Sequence, residues 1–173
     1  MEWDLANART IAEYLPFIKD TALRRLADYF FLQFDMLVAP QLRKLPRQVS
    51  HNDGHRYSLV GQKGPDGVSI TGIIDFGDVL LTHTICNLSV TISDLLVGQR
   101  DLADAAAHIV SGYNEVCSLS DVEFDLIYHL VGVRLSMYAA LAGRALHDDP
   151  DNPHPQAKLA DVKDVLRRMI EIN

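Results

Sequence analysis

Residues 51–78 decide how this chain folds, and they read HNDGHRYSLVGQKGPDGVSITGIIDFGD. Two β-rich runs, residues 57–60 and 68–74, lie inside this stretch, and the second run alternates apolar and polar residues before it becomes wholly apolar. The residues between the two runs are dense in turn formers. The stretch therefore predicts a β-hairpin.

The hairpin predicts a cluster of carboxylates. In an antiparallel pair the start of the first strand lies beside the end of the second. Asp53 precedes the first strand, and Asp75 and Asp78 follow the second. Acids so close repel one another, and a divalent cation offsets that repulsion; carboxylate oxygens with retained water suit Mg²⁺. Phosphoryl transfer needs such a cluster, because one carboxylate takes the proton of the acceptor hydroxyl and another holds the metal.

The order and spacing of the motif residues support this interpretation. Protein kinases place a catalytic Asp two residues after a His, a metal-binding Asn five residues later and a D-F-G further on. Here His51 and Asp53 have the first spacing, and Ser58 stands where the Asn would. Asp75-Phe76-Gly77 supplies the third element. Because one hairpin joins them, the motifs together indicate a kinase-like site more specifically than a D-F-G alone.

With these motifs the chain resembles the aminoglycoside phosphotransferase and choline kinase-like superfamily, and within it the hydroxylysine kinase-like phosphotransferases. The likeness is carried by residues 49–53 and 71–78, and it extends to Trp3-Asp4-Leu5, Pro40, Leu45, Arg134-Leu135 and Asp151-Asn152. It spans nearly the whole chain but only the C-terminal lobe of that family's fold. The resemblance implies an α+β, mostly helical, protein kinase-like C-terminal lobe that occupies residues 1–173 as a single domain.

The resemblance also implies a role for each site residue. Asp53 would be the catalytic base, Asp75 the principal metal ligand and Asp78 a supporting acid near the metal or the substrate. His51 would orient the catalytic loop and, with Ser58, lie at the cofactor. Ser58 would also be a metal ligand, weaker and shorter than Asn.

The implied reaction transfers the γ-phosphoryl group of ATP or GTP, with Mg²⁺, to a hydroxyl of an amino compound. The family's later helices form the acceptor pocket. The acidic loop that contains Asp148, Asp149 and Asp151 would therefore meet a cationic amine of the acceptor.

The segment before the hairpin lacks the nucleotide-gripping motifs of a kinase. No Gly-rich loop and no strand with a phosphate-pairing Lys precede Trp3, so we expect a chain without the N-terminal nucleotide-binding lobe that is inactive or weakly active by itself. The alternative is a catalytically silent module that binds a small amine or a protein partner. A missing lobe would expose apolar surface, and we therefore expect self-association or a covering lobe.

Composition and charge exclude several other classes of protein. The chain has 173 residues and a net charge of −7, which argues against a basic nucleic-acid-binding surface. No run approaches the roughly 20 apolar residues of a membrane span, and the N-terminus lacks a secretory signal, so we expect a cytoplasmic protein. A zinc or iron site of His51, His55 and His83 with Asp53 is less favoured, because a second His pair or a Cys cluster is absent.

Outside the hairpin the sequence predicts helices. An apolar stripe that includes Phe30, Phe34 and Leu37 predicts a long helix that Pro40 ends, with Asp20 or Thr21 as its N-cap. Two helices follow near residues 85–95 and 102–113. A capping box at residues 120–123 opens a third, and a last helix follows the acidic loop. The sum is a mostly helical domain with one embedded hairpin.

Overall fold

The structure of the chain, a computed structural model, describes residues 2–65 and 67–172, apart from the side chain of His154. Asp66, in the predicted turn, lies outside the described residues. The described part is mostly helical and contains two small antiparallel sheets, which agrees with the predicted α+β class.

The elements follow one another in this order. The helices α1 (Ala8–Ile11), α2 (Thr21–Gln33) and α3 (Ala39–Leu42) come first. The strands β1 (Arg47–Ser50), β2 (Leu59–Gly64), β3 (Gly67–Ile73) and β4 (Leu80–His83) form the middle, and the helices α4 (Thr84–Leu95), α5 (Leu102–Val116), α6 (Asp121–Asp148) and α7 (Pro153–Ile172) complete the chain. Short 3₁₀ turns lie at Leu5–Asn7, Ala12–Phe17, Arg56–Ser58 and Phe76–Asp78, and a π turn lies at Phe34–Val38.

Helix α6 is the centre of the core, and α2, α4 and α7 pack around it. It begins with the predicted capping box: Ser120 Oγ accepts from the Glu123 amide, and the Glu123 carboxylate accepts from the Ser120 amide at 3.0 Å. By length and composition α6 could cross a membrane, with a mean hydropathy of 1.3 over its most apolar window. Since 72% of that window is buried inside the fold, we interpret α6 as a core helix.

The prediction for the first long helix is wrong at its end. Asp20 does cap α2, but a π turn follows α2, and the helical backbone continues through Pro40 to the end of α3. The wider turn rotates the apolar stripe, so that Val38 is buried and Leu37 is 45% exposed. Pro40 does not break the chain's course, because it stands in the first turn of α3, where a missing N–H loses no helical hydrogen bond.

The predicted hairpin is confirmed. Strands β2 and β3 pair antiparallel, from Leu59 opposite Ile73 at the base to Gly64 opposite Gly67 at the tip, and both strands are exposed. The sequence did not predict a second antiparallel pair, in which Ser50 at the end of β1 lies opposite Leu80 at the start of β4. Two ladders therefore enclose the connecting loops 51–58 and 74–79, which hold the two loops side by side.

Candidate functional site

The two enclosed loops bring Asp53 and Asp75 together. A carboxylate oxygen of each and a ring nitrogen of His55 all lie within 4.8 Å of one another. Asp78 lines the same cavity as Asp53 but is not part of this cluster. The hairpin thus gathers two of the three acids that its geometry predicted, with His55 as an additional member.

The backbone at both loops adopts an uncommon conformation. Asn52 has a φ of 61° and Asp75 a φ of 68°, and these are the positive-φ residues other than Gly within residues 2–65 and 67–172. Residues with a Cβ rarely occupy this region, and where they do the surrounding structure must hold them. Such positions concentrate at functional sites, which supports the assignment of these loops to a site.

His51 connects the two loops. Its Nδ1 accepts from the Asp53 amide at 3.4 Å, so Nε2 carries the ring proton and donates to the carbonyl oxygen of Ile74 at 2.9 Å. The ring also packs edge-on against Phe76, with 4.9 Å between ring centroids. These contacts suit the orienting role that the resemblance implies for His51.

His55 is held in a single tautomer. The amides of Tyr57 and Ser58 both point at its Nδ1 from 3.1 Å, so Nδ1 accepts and Nε2 carries the proton. That Nε2–H faces Oδ2 of Asp53 at 3.3 Å. His55 therefore orients Asp53 instead of offering a lone pair to a metal. The carboxylates of Asp53 and Asp75 are then the groups of this cluster that could hold a metal ion.

Ser58 is fully buried, and the hydrogen bonds of its side chain lie within the loop formed by residues 51–58. Its hydroxyl donates to the carbonyl oxygen of Asp53 at 2.9 Å, and the hydroxyl oxygen lies 3.0 Å from His55 Nδ1. The one hydroxyl proton is used inside the loop. A metal or cofactor contact by Ser58 would require the loop to give up this bond.

Arg134 of α6 supplies a positive charge beside the acids. Its guanidinium lies 3.7 Å from Asp53 Oδ1, donates to the Trp3 carbonyl at 2.9 Å and stacks over the Trp3 ring at 4.8 Å. Burial lowers the pKa of Arg134 to about 10, although the negative charges of Asp53, Asp78 and Asp94 act to raise it. Arg134 is therefore charged at neutral pH and offsets part of the repulsion among the acids.

A cavity of about 310 Å³ opens beside Asp53. This volume is at the lower end of the range for small-molecule sites. Its walls are of three kinds. They include the charged residues Asp78, Asp94 and Lys158, the aromatic residues Trp3 and Tyr138, and aliphatic side chains such as Val162.

Asp94 of α4 is firmly bound at the edge of this cavity. The amide and Nε of Arg56 donate to Asp94 Oδ2 at 3.2 and 3.1 Å, and Lys158 Nζ lies 3.7 Å from Oδ1. Burial alone would raise the pKa of Asp94, but the hydrogen bonds from Arg56 and the charge of Lys158 outweigh it, and the pKa is lowered. Asp94 is therefore a fixed carboxylate.

The predicted substrate acids lie elsewhere. Asp148 ends α6 and pairs with Arg144 at 2.8 Å, about 21 Å along the helix from Arg134. Neither Asp148 nor Asp149 nor Asp151 lines the cavity beside Asp53. The structure does not bring these three acids to the site, and the acids that line the cavity with Asp53 are Asp78 and Asp94.

Sequence reasoning gave none of four residues, His55, Asp94, Arg134 and Lys158, a role in the kinase-like site, although one of them carries a detectable signal. Arg134 is the only Asp, Glu, Lys or Arg within residues 126–143 of the buried helix α6. A lone charge in an apolar stretch needs a partner, because burying an unpaired charge is costly. Asp94 and Lys158 reach the site through contacts between distant segments, which a local pattern does not encode. His55 is two residues from Asp53, and the sequence does not show that its ring faces that carboxylate.

Replacement of Asn52 by Gly is expected to stabilise the fold. Its side chain is fully buried, and neither Oδ1 nor Nδ2 has a hydrogen-bond partner among the described residues. Asn52→Gly removes two unsatisfied polar groups and fits a φ of 61°, so the free energy of unfolding should rise by about 1 kcal/mol in urea titrations. Asn52→Ala is the control, because it keeps a Cβ at this φ and should be less stable than the Gly variant by about 1 kcal/mol. A Gly variant with a lower free energy of unfolding than wild type would contradict this account.

Comparison with known proteins finds four curated relatives, each named hydroxylysine kinase. That of Xenopus laevis is 25% identical over 87% of this chain and 42% of its own length. Those of Danio rerio and Mus musculus are 24% and 21% identical over 87% of this chain, and over 42% and 41% of their own lengths. The chain therefore spans about two fifths of the length of the curated relatives it matches.

No family model matches the chain. No solved structure matches it either. The resemblance to the hydroxylysine kinase-like phosphotransferases that the sequence predicts is nevertheless confirmed by the four curated relatives.

Proposed function

We propose that this chain is the protein kinase-like, catalytic and acceptor-binding lobe of a cytoplasmic small-molecule kinase. The reaction would transfer the γ-phosphoryl group of ATP or GTP to a hydroxyl of an amino compound. The observation that carries the proposal is the meeting of Asp53 and Asp75 across the hairpin, with His55 beside them. The names of the relatives, hydroxylysine kinase, support the class of reaction.

Asp53 is the catalytic base in this proposal. Its carboxylate is held from two directions, by His55 Nε2 at 3.3 Å and by the Arg134 guanidinium at 3.7 Å. A carboxylate fixed in this way can accept the proton of an acceptor hydroxyl in the adjoining cavity without first losing rotational freedom. Arg134 also offsets negative charge that collects at the site during transfer.

Asp53 and Asp75 fit Mg²⁺, because this cation takes one or two carboxylates and completes its shell with waters and phosphate oxygens. Asp75 would be the principal protein ligand, and Asp78 would support it from the same cavity wall. Bound Mg²⁺ would neutralise charge on the phosphates of the nucleotide. His51, which fixes the loops relative to each other, would keep the two carboxylates at a distance that one cation can span.

The exposed hairpin is the surface on which a nucleotide-binding lobe would pack in this proposal. Val68, Ile70 and Phe76 are 68%, 60% and 58% exposed. An apolar surface of this kind marks a site of contact with another polypeptide surface. In the absence of such a lobe, a second copy of the chain would cover the same surface.

Binding of Mn²⁺, measured by the loss of its free electron paramagnetic resonance signal, tests the metal half of this site. We expect Asp75→Asn to weaken Mn²⁺ binding by about tenfold or more, because the principal carboxylate loses its charge. The matched control is Asp125→Asn, which removes an exposed carboxylate from α6 and should leave binding unchanged. Equal Mn²⁺ affinity in wild type and Asp75→Asn would contradict the proposed metal ligand and favour the silent binding module.

A further inference from the structure

Arg56 attaches the loop that carries Asp53 to the end of helix α4. Its amide and its Nε donate to Oδ2 of Asp94 at 3.2 and 3.1 Å. Its Nη2 donates to the carbonyl oxygens of Asp94 and Val97. We propose that Arg56 is a positioning residue, which holds the base Asp53 in place through this attachment. The inference rests on the proposed function, because it concerns the base of that same site.

The C-terminal end of α4 is a favourable place for an arginine. Carbonyl oxygens at this end of a helix carry the negative end of the helix dipole, and several of them lack an amide partner four residues further on. The planar guanidinium of Arg56 meets two carbonyls here, as well as the Asp94 carboxylate. That carboxylate also faces α7, because Lys158 Nζ lies 3.7 Å from its Oδ1. Arg56 therefore joins the loop to the packed helices of the core.

Two attachments to α4 place the loop, one on each side of Asp53. Before it, the Asn52 amide donates to Oδ1 of Asn87 at 2.8 Å, and after it Arg56 binds the end of the helix. The bond from Ser58 Oγ to the Asp53 carbonyl oxygen, in contrast, lies inside the loop. A bond of that kind determines the shape of the loop but not its position on the helix. The position of Asp53 therefore depends on both attachments.

Arg56 acts from outside the cavity beside Asp53. Asp94 lines this cavity, whereas Arg56 is not among the described residues that do. Loss of Arg56 should therefore leave the binding of an acceptor nearly unchanged and let Asp53 move away from the acceptor hydroxyl. A misplacement of about 1 Å can lower a rate by about a hundredfold. Because the attachment at Asn52 remains, we expect a smaller loss of about tenfold.

Hydrogen exchange of the chain by itself, measured for single amides by NMR, tests the attachment. In Arg56→Gln the amides of Asn52 and of residue 56 should exchange about tenfold faster relative to their intrinsic rates. The reason is that the charged hydrogen bonds that keep the loop closed are lost. Arg56→Lys keeps a cation at the end of the helix but not the planar fork, so it should restore part of the protection.

Steady-state kinetics of phosphotransfer provide the second measurement. They require protein expressed from the complete natural gene, with hydroxylysine, the compound in the relatives' name, as acceptor. Arg56→Gln should lower kcat about tenfold and leave KM for the acceptor within about twofold of wild type. Arg56→Lys should recover part of kcat. A contribution to stability alone would not change kcat per folded molecule, so this measurement separates positioning from a merely structural role.

Arg168→Gln is the matched control for both measurements. Arg168 of α7 likewise donates to two backbone carbonyls, those of Gln99 and Arg100, at 2.8 and 2.6 Å, and lies 3.5 Å from a carboxylate oxygen of Asp164. Because these contacts lie outside residues 51–58, Arg168→Gln should leave the exchange of the loop amides and kcat at their wild-type values.

The two measurements also distinguish failure of this inference from failure of the proposed function. Wild-type exchange of the loop amides in Arg56→Gln, or an equal acceleration in Arg168→Gln, would overturn the attachment. A rise in KM with unchanged kcat would overturn the positioning role, while turnover by wild type would still support the proposed reaction. If wild type forms no phosphorylated product, the proposed reaction is refuted, and the exchange rates alone decide whether Arg56 holds the loop.

Discussion

Asp53→Asn is expected to lower kcat about a thousandfold, because the amide cannot accept the proton of the acceptor hydroxyl. The substitution keeps the shape of the side chain, and its one oxygen can accept from either His55 or Arg134, though not from both, because both groups are donors. The hydrogen bonds of the Asp53 backbone within the loop do not depend on this carboxylate, so the fold should persist. The measurement is mass-spectrometric detection of phosphorylated 5-hydroxylysine with ATP or GTP and Mg²⁺. It should use protein expressed from the complete natural gene, since the relatives are more than twice as long as the part that this chain matches.

Two comparisons make this result specific. Asp125→Asn removes an exposed carboxylate on α6 and should leave kcat within about twofold of wild type. Nucleotide binding by Asp53→Asn should also stay near the wild-type level, since Asp53 is assigned to the acceptor proton. Undiminished turnover in Asp53→Asn would show that another group is the base. Absence of product with wild type itself would favour the silent binding module.

Gly132→Ala is expected to lower the free energy of unfolding by about 3 kcal/mol. Gly132 lies in α6 where that helix meets α2, and a Cβ added there would overlap the ring of Phe30. Phe30 is fully buried, and its ring already packs against Tyr29 and Tyr128 at centroid distances of 5.1 and 5.8 Å. Because the core is closely packed, the ring cannot move aside without disturbing its neighbours.

Gly112→Ala is the matched control for this substitution. Gly112 is also inside a helix, α5, but a Cβ added there meets no atom within 4 Å. Ala is the better helix former, so Gly112→Ala should raise the free energy of unfolding by about 0.5 to 1 kcal/mol. Urea unfolding of both variants should therefore give changes of opposite sign. Two changes of the same sign would mean that α2 does not pack on Gly132 as described.

If Gly132→Ala does not fold, the double variant Gly132→Ala with Phe30→Leu provides the test. The smaller side chain makes room for the new methyl group, so the double variant should fold and be more stable than Gly132→Ala. Loss of folding in both variants would contradict the steric explanation.

The parts of this fold that the sequence predicts are those with local causes. The hairpin follows from turn formers between two β-rich runs, and the capping box from residues three positions apart, Ser120 and Glu123. The pairing of β1 with β4 escaped prediction because each strand has four residues and the partners are 30 or more positions apart in the chain. The π turn also has no clear signal, since its apolar residues fit a regular helix nearly as well.

The residues of the candidate site fall into the same two groups, those placed by local sequence and those placed by packing between distant elements. His51, Asp53 and Asp75 lie close to the hairpin ends, so the hairpin was enough to predict that they meet, although the pairing of β1 with β4 also holds their loops. The acidic loop was predicted to reach the acceptor because of its charge, but charge does not say which end of a helix a loop occupies. Helix α6 is 28 residues long, and its ends are about 40 Å apart. Lys158 and Asp94 reach the cavity only through the packing of α7 and α4.

The exposed hairpin has a consequence for how the site is assembled. In the described part of the chain, β2 and β3 pack mainly on each other, so the hairpin can open without disturbing the helical core. Asp75 follows β3 and would move with the hairpin, and the hydrogen bond from His51 to Ile74 helps to hold Asp75 in place. The acids therefore form a complete pair only while the hairpin is closed, and the apparent affinity for any cation scales with the closed fraction. A surface that covers the hairpin would raise the fraction, and so would strengthen cation binding without contacting the cation.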